Sequence, residues 1–321
     1  MTFYQTPPTL AAWGESLVQD TLTTFGPAGL EPDQLALTWV IYGGPAVVNT
    51  GGAIDATTFW QTPPLGVSYR GEVPIYPASV VKLFYLVALQ EWLEQGMIPP
   101  DPELERAMAD MIRFSSNDAT GFLIDVLTGT TSGPDLSPGP YATWQYQRNL
   151  INRYFQSWRW PELVGCNLCQ KTWGDGPYGR ERSFVGPKGE NRNKLTTLGA
   201  ARLLHGIAGG VAVNGQRSQQ MMDLLRRSLE PEDLAAEPEN QVQGFLGEGF
   251  PPGTRLWSKA GWMSQVRHDA AYVELPNGAA MTLVVFTEGA AQSRNVELLP
   301  WIGRWTAGRL LETDITAPYA P

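Results

Sequence analysis

The chain has 321 residues, of which 43% are hydrophobic and 17% are charged, and its formal net charge is -9. This composition supports a sizeable core and excludes a disordered chain, and the acidic balance without any basic run excludes a nucleic-acid partner. No Lys or Arg precedes Arg70 and no apolar run approaches the roughly 20 residues of a membrane span, so we expect a cytoplasmic protein with no membrane partner, periplasmic only if a leader has been removed.

The first third of the sequence predicts a short helix, a hairpin and a long helix. Residues 35–43 form a continuous apolar run typical of a buried strand, and "ATTFWQ" (56–61), after the turn at Gly51-Gly52, is predicted as its partner strand. Residues 80–95 carry apolar side chains at helical spacing, and Gly96 follows as the terminating residue.

The middle of the chain is predicted to be helical. Helices are expected over 102–112 and 119–127, with the polar break "FSSND" between them. From residue 128 to 194 the sequence is rich in Gly, Pro, Trp and Asn, and contains one helical piece at 141–158. Irregular segments of this length are uncommon unless they shape a site.

The last third is predicted to contain three helices and three strands. Helices are predicted over 198–207 and 218–229 and again over 296–311. The strand candidates between them are "TRLWSKAGW" (254–262), "HDAAYVELPNG" (268–278) and "AAMTLVVFTE" (279–288), with "PNG" as a hairpin turn.

This order of elements predicts an α+β fold. Strands at both ends of the chain must meet in one antiparallel sheet, which assigns residues 1–85 and 205–321 to an α/β domain. Residues 86–204 then form an inserted all-helical domain with a long Trp-, Gly- and Pro-rich loop. The cleft between the two domains is the natural place for a ligand.

The two cysteines, Cys166 and Cys169, form one C-x-x-C, which supplies only half of the four ligands of a structural zinc. A zinc site would require His205 and His268, the only histidines, to converge on it. A redox pair would require a strand-then-helix context that this segment lacks. We therefore interpret the pair as two ordinary thiols in a loop and predict no metal and no cofactor.

A serine and a lysine stand three apart in "YPASVVKLFYLV", at the start of the predicted helix 80–95. Residues i and i+3 share a helix face, so the Lys82 amine can lie against the Ser79 hydroxyl. Free backbone N–H groups at the helix start suit a nucleophile, and an apolar environment favours a neutral amine that takes its proton. The simpler alternative is that Ser79 caps the helix and Lys82 extends to water.

Two further short motifs follow in order along the chain. "FSSND" contains Ser115 and Asn117, and "WSKAGW" contains Lys259 followed by Ala260 and Gly261. Taken alone, the first pair reads as a helix N-cap and the lysine as an edge-strand charge. The joint order of serine-x-x-lysine, serine-x-asparagine and lysine-small-glycine overturns both interpretations.

With these motifs the chain resembles the serine β-lactamase and penicillin-binding protein (D-alanyl-D-alanine peptidase) superfamily, nearest to its class A branch. The phrases "ASVVKL", "SSNDATGFLIDVL", "NKLTTLGAARLL" and "SKAGW" followed by "RHDAAYVELPNG" carry the resemblance, which spans roughly residues 35–311. The fold that it implies, an antiparallel α/β domain plus an all-helical domain, agrees with the layout above.

The resemblance implies a role for each motif residue. Ser79 would be the nucleophile that forms an acyl-enzyme, and Lys82 would be its general base or proton relay. The backbone N–H groups of Ser79 and of Trp262, which follows Gly261, match the positions of an oxyanion hole.

The other motif residues would handle the leaving group and the substrate. Ser115 would pass a proton to the leaving nitrogen. Asn117 would hold the substrate amide and the Lys82 amine. Lys259 would lie beside Ser115 and raise the positive potential near a substrate carboxylate.

The third motif departs from the family at Ala260, where the hydroxyl that usually binds a substrate carboxylate is missing. Losing one such charge-assisted hydrogen bond costs on the order of 1.5 to 3 kcal/mol. Arg267 on the adjacent strand is predicted either to compensate or to be a solvated surface arginine.

The carboxylate that drives deacylation in class A enzymes is also in doubt. "RWPELVG" resembles the family loop Arg-x-Glu-Pro-Glu-Leu with residues missing, and Trp160 then occupies the glutamate position. Glu162 and Glu190 are the candidate substitutes, and the alternative for each is a surface carboxylate. Four tryptophans of this region either line the site for a bulky or aromatic acyl group or pack the long lobe: Trp144, Trp158, Trp160 and Trp173.

We therefore expect a serine hydrolase whose partner is a small-molecule β-lactam, amide or ester. β-Lactamase-like hydrolysis is the first hypothesis, and a D-alanyl-D-alanine peptidase or small-ester hydrolase is the second. A penicillin-binding or sensing module that acylates without turnover is the alternative from another class.

Overall fold

The structure, a computed structural model that describes residues 2–45, 55–173 and 176–313, combines helices with an antiparallel β-sheet. The α-helices are α1 (Pro8–Phe25), α2 (Ala56–Gln61), α3 (Lys82–Glu94), α4 (Pro102–Arg113), α5 (Asn117–Thr128), α6 (Pro138–Arg148), α7 (Leu150–Ser157), α8 (Gly179–Val185), α9 (Thr197–Ala208), α10 (Gly215–Leu225), α11 (Pro231–Ala236), α12 (Ala290–Arg294) and α13 (Leu298–Leu311). The strands are β1 (Leu35–Tyr42), β2 (Leu65–Tyr69), β3 (Arg226–Arg227), β4 (Arg255–Met263), β5 (Val266–Glu274) and β6 (Ala280–Glu288).

The sheet joins the two ends of the chain. Its strand order is β2-β1-β6-β5-β4-β3, with every neighbouring pair antiparallel. Strand β1 pairs with β6 along its whole length, from Leu35 opposite Thr287 to Tyr42 opposite Ala280. The predicted α+β class, with an antiparallel sheet formed by both ends of the chain, is confirmed.

Both faces of the sheet are buried, because successive side chains of a strand point to opposite faces. Leu37 and Trp39 of β1 enter one core, where the Trp39 ring lies 6.2 Å from the rings of Trp13 in α1 and Trp305 in α13. Val40 enters a second core, between the sheet and the helices around α3. The sheet is therefore fixed from both sides.

Helix α3 is the centre of the second core. Residues 82–90 are all buried, which is expected of a helix whose sides are all apolar. A 3-10 turn, Ala78–Val81, leads into it, so the predicted helix 80–95 is confirmed with a tighter start. Gly96 follows with φ +66°, the left-handed conformation that glycine favours after a helix end.

The predicted partner strand of β1 at 56–61 is wrong. These residues form helix α2, because the Asp55 side chain accepts a hydrogen bond from the Thr58 N–H and caps the helix. The partner is β2, which contains Gly66. A Cβ on Gly66 would lie 2.6 Å from the Tyr4 ring, so packing requires glycine at this position. Because glycine is uncommon inside strands, the sequence did not indicate a strand here. The Gly51-Gly52 turn lies outside the described residues.

Two predicted helices have different bounds in the structure. The piece at 141–158 is two helices, α6 and α7, that meet at Asn149. The helix predicted at 218–229 begins earlier, after Asn214, whose side chain caps the Arg217 N–H, and it ends at Leu225. The next two residues turn extended as β3 and pair with Trp257 and Leu256 at the sheet edge.

Helix α9 joins the helices to the sheet, since the Thr197 hydroxyl lies 2.8 Å from the Thr38 hydroxyl of β1.

Two features of the chain as a whole stay predictions. One is its division into an α/β domain, residues 1–85 with 205–321, and an inserted helical domain, residues 86–204. None of the helices in the described parts of the chain has both the length and the apolar character that crossing a membrane requires. The cytoplasmic location also stays a prediction.

Candidate active site

The segment before α3 is held in an unusual conformation. Ala78 has φ +45°, a left-handed value that costs a non-glycine residue of order 1 to 3 kcal/mol and is concentrated at functional sites. The Tyr76 carbonyl accepts a hydrogen bond from His268 Nε2 at 2.9 Å. Because His268 Nδ1 accepts the Thr287 N–H and burial lowers the pKa of His268 to about 4, Nε2 carries the proton. A neutral histidine of β5 therefore fixes the chain three residues before Ser79.

Strand β4 presses directly on the turn that carries Ser79. A Cβ on Gly261 would lie 2.8 Å from the Pro77 carbonyl oxygen and 3.0 Å from the Ser79 nitrogen. Only glycine admits this approach. The contact brings the Trp262 end of β4 beside the backbone N–H of Ser79, as the expected oxyanion hole requires.

Lys82 is completely buried at the first position of α3. Its Nζ donates to the Ser115 carbonyl at 2.5 Å, to Ser115 Oγ at 3.1 Å and to Asn117 Oδ1 at 3.0 Å. The amine thus contacts the second motif rather than lying against the Ser79 hydroxyl. Burial lowers the pKa of Lys82 to about 7, because desolvation disfavours the charged form of the amine.

Ser115 lies between two lysines. Its Oγ accepts hydrogen bonds from Lys82 Nζ at 3.1 Å and from Lys259 Nζ at 3.0 Å, and its φ of +56° is again left-handed. Burial, followed by the charges of Lys82 and Arg227, lowers the pKa of Lys259 well below its usual value. Mutual repulsion and desolvation disfavour two ammonium groups around one hydroxyl, which leaves a neutral amine available as a base.

Gln241 is a residue of this site that the sequence did not reveal. Its Oε1 accepts from Lys259 Nζ at 2.5 Å and from the Ala260 N–H at 3.2 Å. Its Nε2 donates to the carbonyls of Ile112 and Arg113 at 3.0 and 2.8 Å, at the end of α4. Gln241 therefore ties β4 to the segment that leads into Ser115.

Arg227 and Asp269 are two further groups close enough to Lys259 to affect its pKa, and the sequence did not reveal either of them. Arg227 Nη2 donates to the Ser258 carbonyl at 3.1 Å and to the Ile112 carbonyl at 2.8 Å. Asp269 opposes Ala260 across the sheet, and burial raises its pKa to about 7 despite two hydrogen bonds from backbone N–H groups. No motif in the sequence marks either residue.

A cavity of about 690 Å³ opens beside Ser79, a size typical of small-ligand sites. Its lining includes Tyr76, Ser79, Asn117, Trp173, Arg192 and Trp262. Asn117 connects the cavity to the buried amine of Lys82. Among the described lining residues there is no Asp or Glu, and Asp175 lies outside the described part of the chain.

The two candidate deacylation carboxylates do not line this cavity. Glu162 is buried and its Oε2 pairs with Arg202 Nη1 at 2.7 Å. Trp160, next to it, packs on Trp158 with ring centroids 4.6 Å apart. Glu190 is exposed, and its Oε2 accepts the backbone N–H of Lys188 at 3.0 Å. Their catalytic roles stay predictions.

Arg267 contacts the site only through the Trp262 ring, 5.7 Å from its guanidinium. Its Nε donates to the Ser293 carbonyl at 3.0 Å and its Nη1 to the Gly244 carbonyl at 3.1 Å. The arginine is buried rather than solvated, and both bonds direct its donors to the backbone. Trp262 Nε1 also donates to the Ser293 carbonyl, at 2.9 Å, while the indole is 58% exposed.

The C-x-x-C pair holds two free thiols, Cys166 half-buried and Cys169 buried. Burial raises the pKa of Cys169 to about 12. His205 stacks on Tyr42, whereas His268 contacts Tyr76, so the two histidines belong to different surroundings. The described ranges contain no group of three or more His, Cys, Asp or Glu side chains able to hold a metal ion.

Comparison with known proteins supplies a family and a fold. The Beta-lactamase2 family, described as a beta-lactamase enzyme family, matches residues 98–307, a segment that begins after Ser79 and Lys82. None of the curated proteins matches the chain.

Solved structures are similar over nearly the whole chain. PBP-A is 16% identical with a TM-score of 0.61, over 97% of this chain and 98% of that one. A β-lactamase from Sphaerobacter thermophilus is 18% identical with a TM-score of 0.61, over 93% of this chain and 98% of its own. A class A β-lactamase representative from Bacteroides cellulosilyticus is 14% identical with a TM-score of 0.62, over 94% and 99%. At sequence identities this low, the structural similarity establishes a shared fold and nothing more specific.

Proposed function

The chain belongs to the beta-lactamase enzyme family, a family of hydrolases, and we propose that it is a serine hydrolase that forms an acyl-enzyme on Ser79. The observation that carries the proposal is the meeting of Lys82 and Lys259 at Ser115 Oγ, next to a cavity lined by Ser79 and Asn117. A neutral buried amine, a positioned hydroxyl and a nucleophile at a helix start are the groups that acyl transfer needs.

Acylation follows from these positions. The Ser79 hydroxyl attacks the substrate carbonyl. Its proton passes to the neutral amine of Lys82, which first exchanges one of its hydrogen bonds to Ser115 or Asn117 for one to Ser79 Oγ. The backbone N–H groups of Ser79 and Trp262 stabilise the oxyanion of the tetrahedral intermediate. Ser115 Oγ gives a proton to the leaving nitrogen or oxygen as the carbonyl re-forms, and Lys82 Nζ, at 3.1 Å, restores that proton to Ser115. The product is an ester of Ser79 and the freed leaving group.

We expect deacylation of Ser79 to be slower than its acylation. Water must attack the Ser79 ester, but Glu162 is paired with Arg202 and Glu190 is bonded to the Lys188 backbone. With both of these carboxylates engaged elsewhere, Lys82 is the base that the described residues offer to the water. The acyl-enzyme therefore accumulates, which favours a penicillin-binding or peptidase-like protein over an efficient β-lactamase. A mutant of PBP-A, which shares the fold, is described as an acyl-enzyme complex with penicillin G, so penicillin is a suitable probe.

The test is a stopped-flow measurement with a p-nitrophenyl ester. We expect a burst of about one p-nitrophenol per protein, followed by slower steady turnover, because acylation outpaces deacylation. The Ser79→Ala variant should lose both phases, and Ser264→Ala, which changes another serine of the cavity, should keep them. Equal ester hydrolysis by wild type and Ser79→Ala would refute the proposal.

A further inference from the structure

The cavity beside Ser79 lies on the side where the acyl portion of a substrate must go. In the proposed reaction Ser115 Oγ protonates the leaving group, so the leaving group faces Ser115 and Lys259. Among the described lining residues of the cavity are Ser79 and Asn117, but neither Ser115 nor Lys259. The cavity therefore receives the other half of the substrate, the acyl group that becomes attached to Ser79.

We propose that this cavity selects acyl groups that carry an anion, with Arg192 and Lys188 as the residues that bind it. The proposal rests on acylation of Ser79. Both cations line the cavity, and the described lining holds no acidic residue, in a protein whose net charge is -9. A carboxylate or similar anion entering there gains charge-assisted hydrogen bonds in a partly enclosed space.

Arg192 is positioned in advance for such a contact. Its guanidinium lies 3.9 Å from the centroid of the Tyr76 ring, which fixes its plane. Tyr76 is itself held, since its carbonyl accepts from His268 and its hydroxyl donates to Met263 Sδ at 3.2 Å. The stack thus fixes a half-buried cation close to the turn that carries Ser79.

No described carboxylate neutralises this arginine. Other arginines with carboxylate partners include Arg148, Arg202 and Arg217, whereas no ion pair to Arg192 or Lys188 occurs among the described residues. The acidic residue of the same loop, Glu190, accepts the Lys188 backbone N–H with its Oε2. The donors of the Arg192 guanidinium therefore remain for a ligand.

The opposite side of the site is poorly equipped for an anion. Lys259 Nζ already contacts Ser115 Oγ, Gln241 Oε1 and the Ala260 carbonyl at hydrogen-bonding distance, so its hydrogen-bonding positions are occupied by the protein. Ala260 has no hydroxyl, and Arg267 donates to backbone carbonyls. Recognition of negative charge is thereby moved from the leaving-group side, where the family places it, to the acyl side.

The experiment compares two esters of the same length. Mono-p-nitrophenyl adipate carries a terminal carboxylate, and p-nitrophenyl hexanoate does not. We expect wild-type acylation, as kcat/KM, to favour the adipate ester, and Arg192→Gln to lower that value by roughly 10- to 100-fold while leaving the hexanoate ester within about twofold. Arg182→Gln is the matched control, because Arg182 is an exposed arginine outside the cavity lining. It should change neither ester.

Binding to the Ser79→Ala variant separates this inference from the acylation on which it rests. Calorimetry with adipic acid monoanilide and hexanoic anilide should show tighter binding of the anionic anilide, lost on adding Arg192→Gln. If that preference appears while no ester is turned over, the acylation proposal fails and the anion site stands. If the esters acylate Ser79 with no preference for adipate, or the preference survives in Arg192→Gln with Lys188→Gln, the anion site is refuted and the acylation stands.

Discussion

Lys82 is buried, and its hydrogen-bond partners among the described residues include no carboxylate. Its three hydrogen-bond acceptors, two on Ser115 and one on Asn117, are all neutral, and its side chain is fully excluded from solvent. Burying a charge without a counter-charge is expensive, so the protein gains if the amine gives up its proton. Such a perturbed lysine beside a cavity is the kind of group that a fold retains for chemistry.

The pH dependence of acylation tests this role of Lys82. Below its pKa the amine is protonated and has no lone pair, and because burial lowers the pKa of Lys82 to about 7, the neutral fraction rises as pH increases through that value. The burst rate with a p-nitrophenyl ester should therefore climb between about pH 6 and 8 and then level off. Lys82→Arg should abolish the burst, because arginine stays protonated.

Lys194→Arg provides the control for that measurement, since Lys194 is an exposed lysine. It should preserve both the burst rate and its pH profile. A wild-type burst rate that stays flat from pH 5 to 9, after correction for hydroxide reaction with the ester, would remove Lys82 as the base.

The site depends on contacts between secondary-structure elements that are distant in sequence. Gln241 uses both ends of its amide, one toward Lys259 and Ala260 on β4 and the other toward the last carbonyls of α4. Since Ser115 follows α4 by two residues, this amide sets the distance between Ser115 and Lys259. We therefore treat Gln241 as a positioning residue.

Replacing Gln241 by leucine should lower the burst rate by roughly 10- to 100-fold, the effect of displacing a positioned catalytic group. The protein should remain folded by near-ultraviolet circular dichroism, and KM should change less than the burst rate. Gln243→Leu, an exposed neighbour, is the control and should acylate normally. An unaltered burst rate in Gln241→Leu would show that β4 and α4 hold their places without the amide.

A buried network of charges holds the long segment that forms one wall of the cavity. Arg148 of α6, fully buried, pairs with Asp125 of α5 at 3.0 Å and with Glu181 of α8 at 2.5 Å. Lys171 joins the same network, 2.6 Å from Asp125, just before the cavity residues Thr172 and Trp173. The network therefore links three helices to the cavity wall.

Breaking one partner of this network should destabilise the fold strongly, because it leaves an uncompensated buried charge. We expect Arg148→Met or Glu181→Leu alone to cost about 3 to 5 kcal/mol in urea unfolding. The double variant should cost clearly less than the sum of the two. Additive losses, within about 0.5 kcal/mol, would mean that Arg148 and Glu181 do not act as a pair. Met replacing the exposed Arg106 should change stability little.

At the scale of the whole molecule, local patterns predicted much of the fold and of the site. Helix α3, strand β1 and the three C-terminal strands are long, strongly apolar elements, and periodicity located each of them. Ser79, Ser115 and Lys259 lie within short motifs whose order along the chain is informative. The structure brings these motifs to one place.

What the sequence could not show depends on contacts at long range. Strand β2 was missed because its Gly66 is explained only by the Tyr4 ring that packs on it. Gln241 and Arg227 have no local pattern, since the α4 carbonyls that they bind lie more than 100 residues earlier. The charge network was likewise invisible, because tertiary folding alone brings Arg148 beside Glu181.

The architecture as a whole places the nucleophile at a junction. The turn that carries Ser79 lies between β4, which belongs to a sheet packed on both faces, and α3, the centre of the helical core. The sheet supplies Lys259, Gly261 and Trp262, helix α3 supplies Lys82, and the turn between α4 and α5 supplies Ser115. The sheet and the helical region therefore each contribute part of the groups of the proposed mechanism.

Intact-protein mass spectrometry can detect the proposed acyl-enzyme on Ser79 itself. The protein is incubated with penicillin G, the adduct is followed over time, and the modified residue is located by peptide mapping. We expect a gain of one penicillin mass on Ser79 that persists for many minutes, with no adduct on Ser79→Ala. An adduct on another residue, or none on a folded protein with either penicillin or a fluorophosphonate, would contradict it.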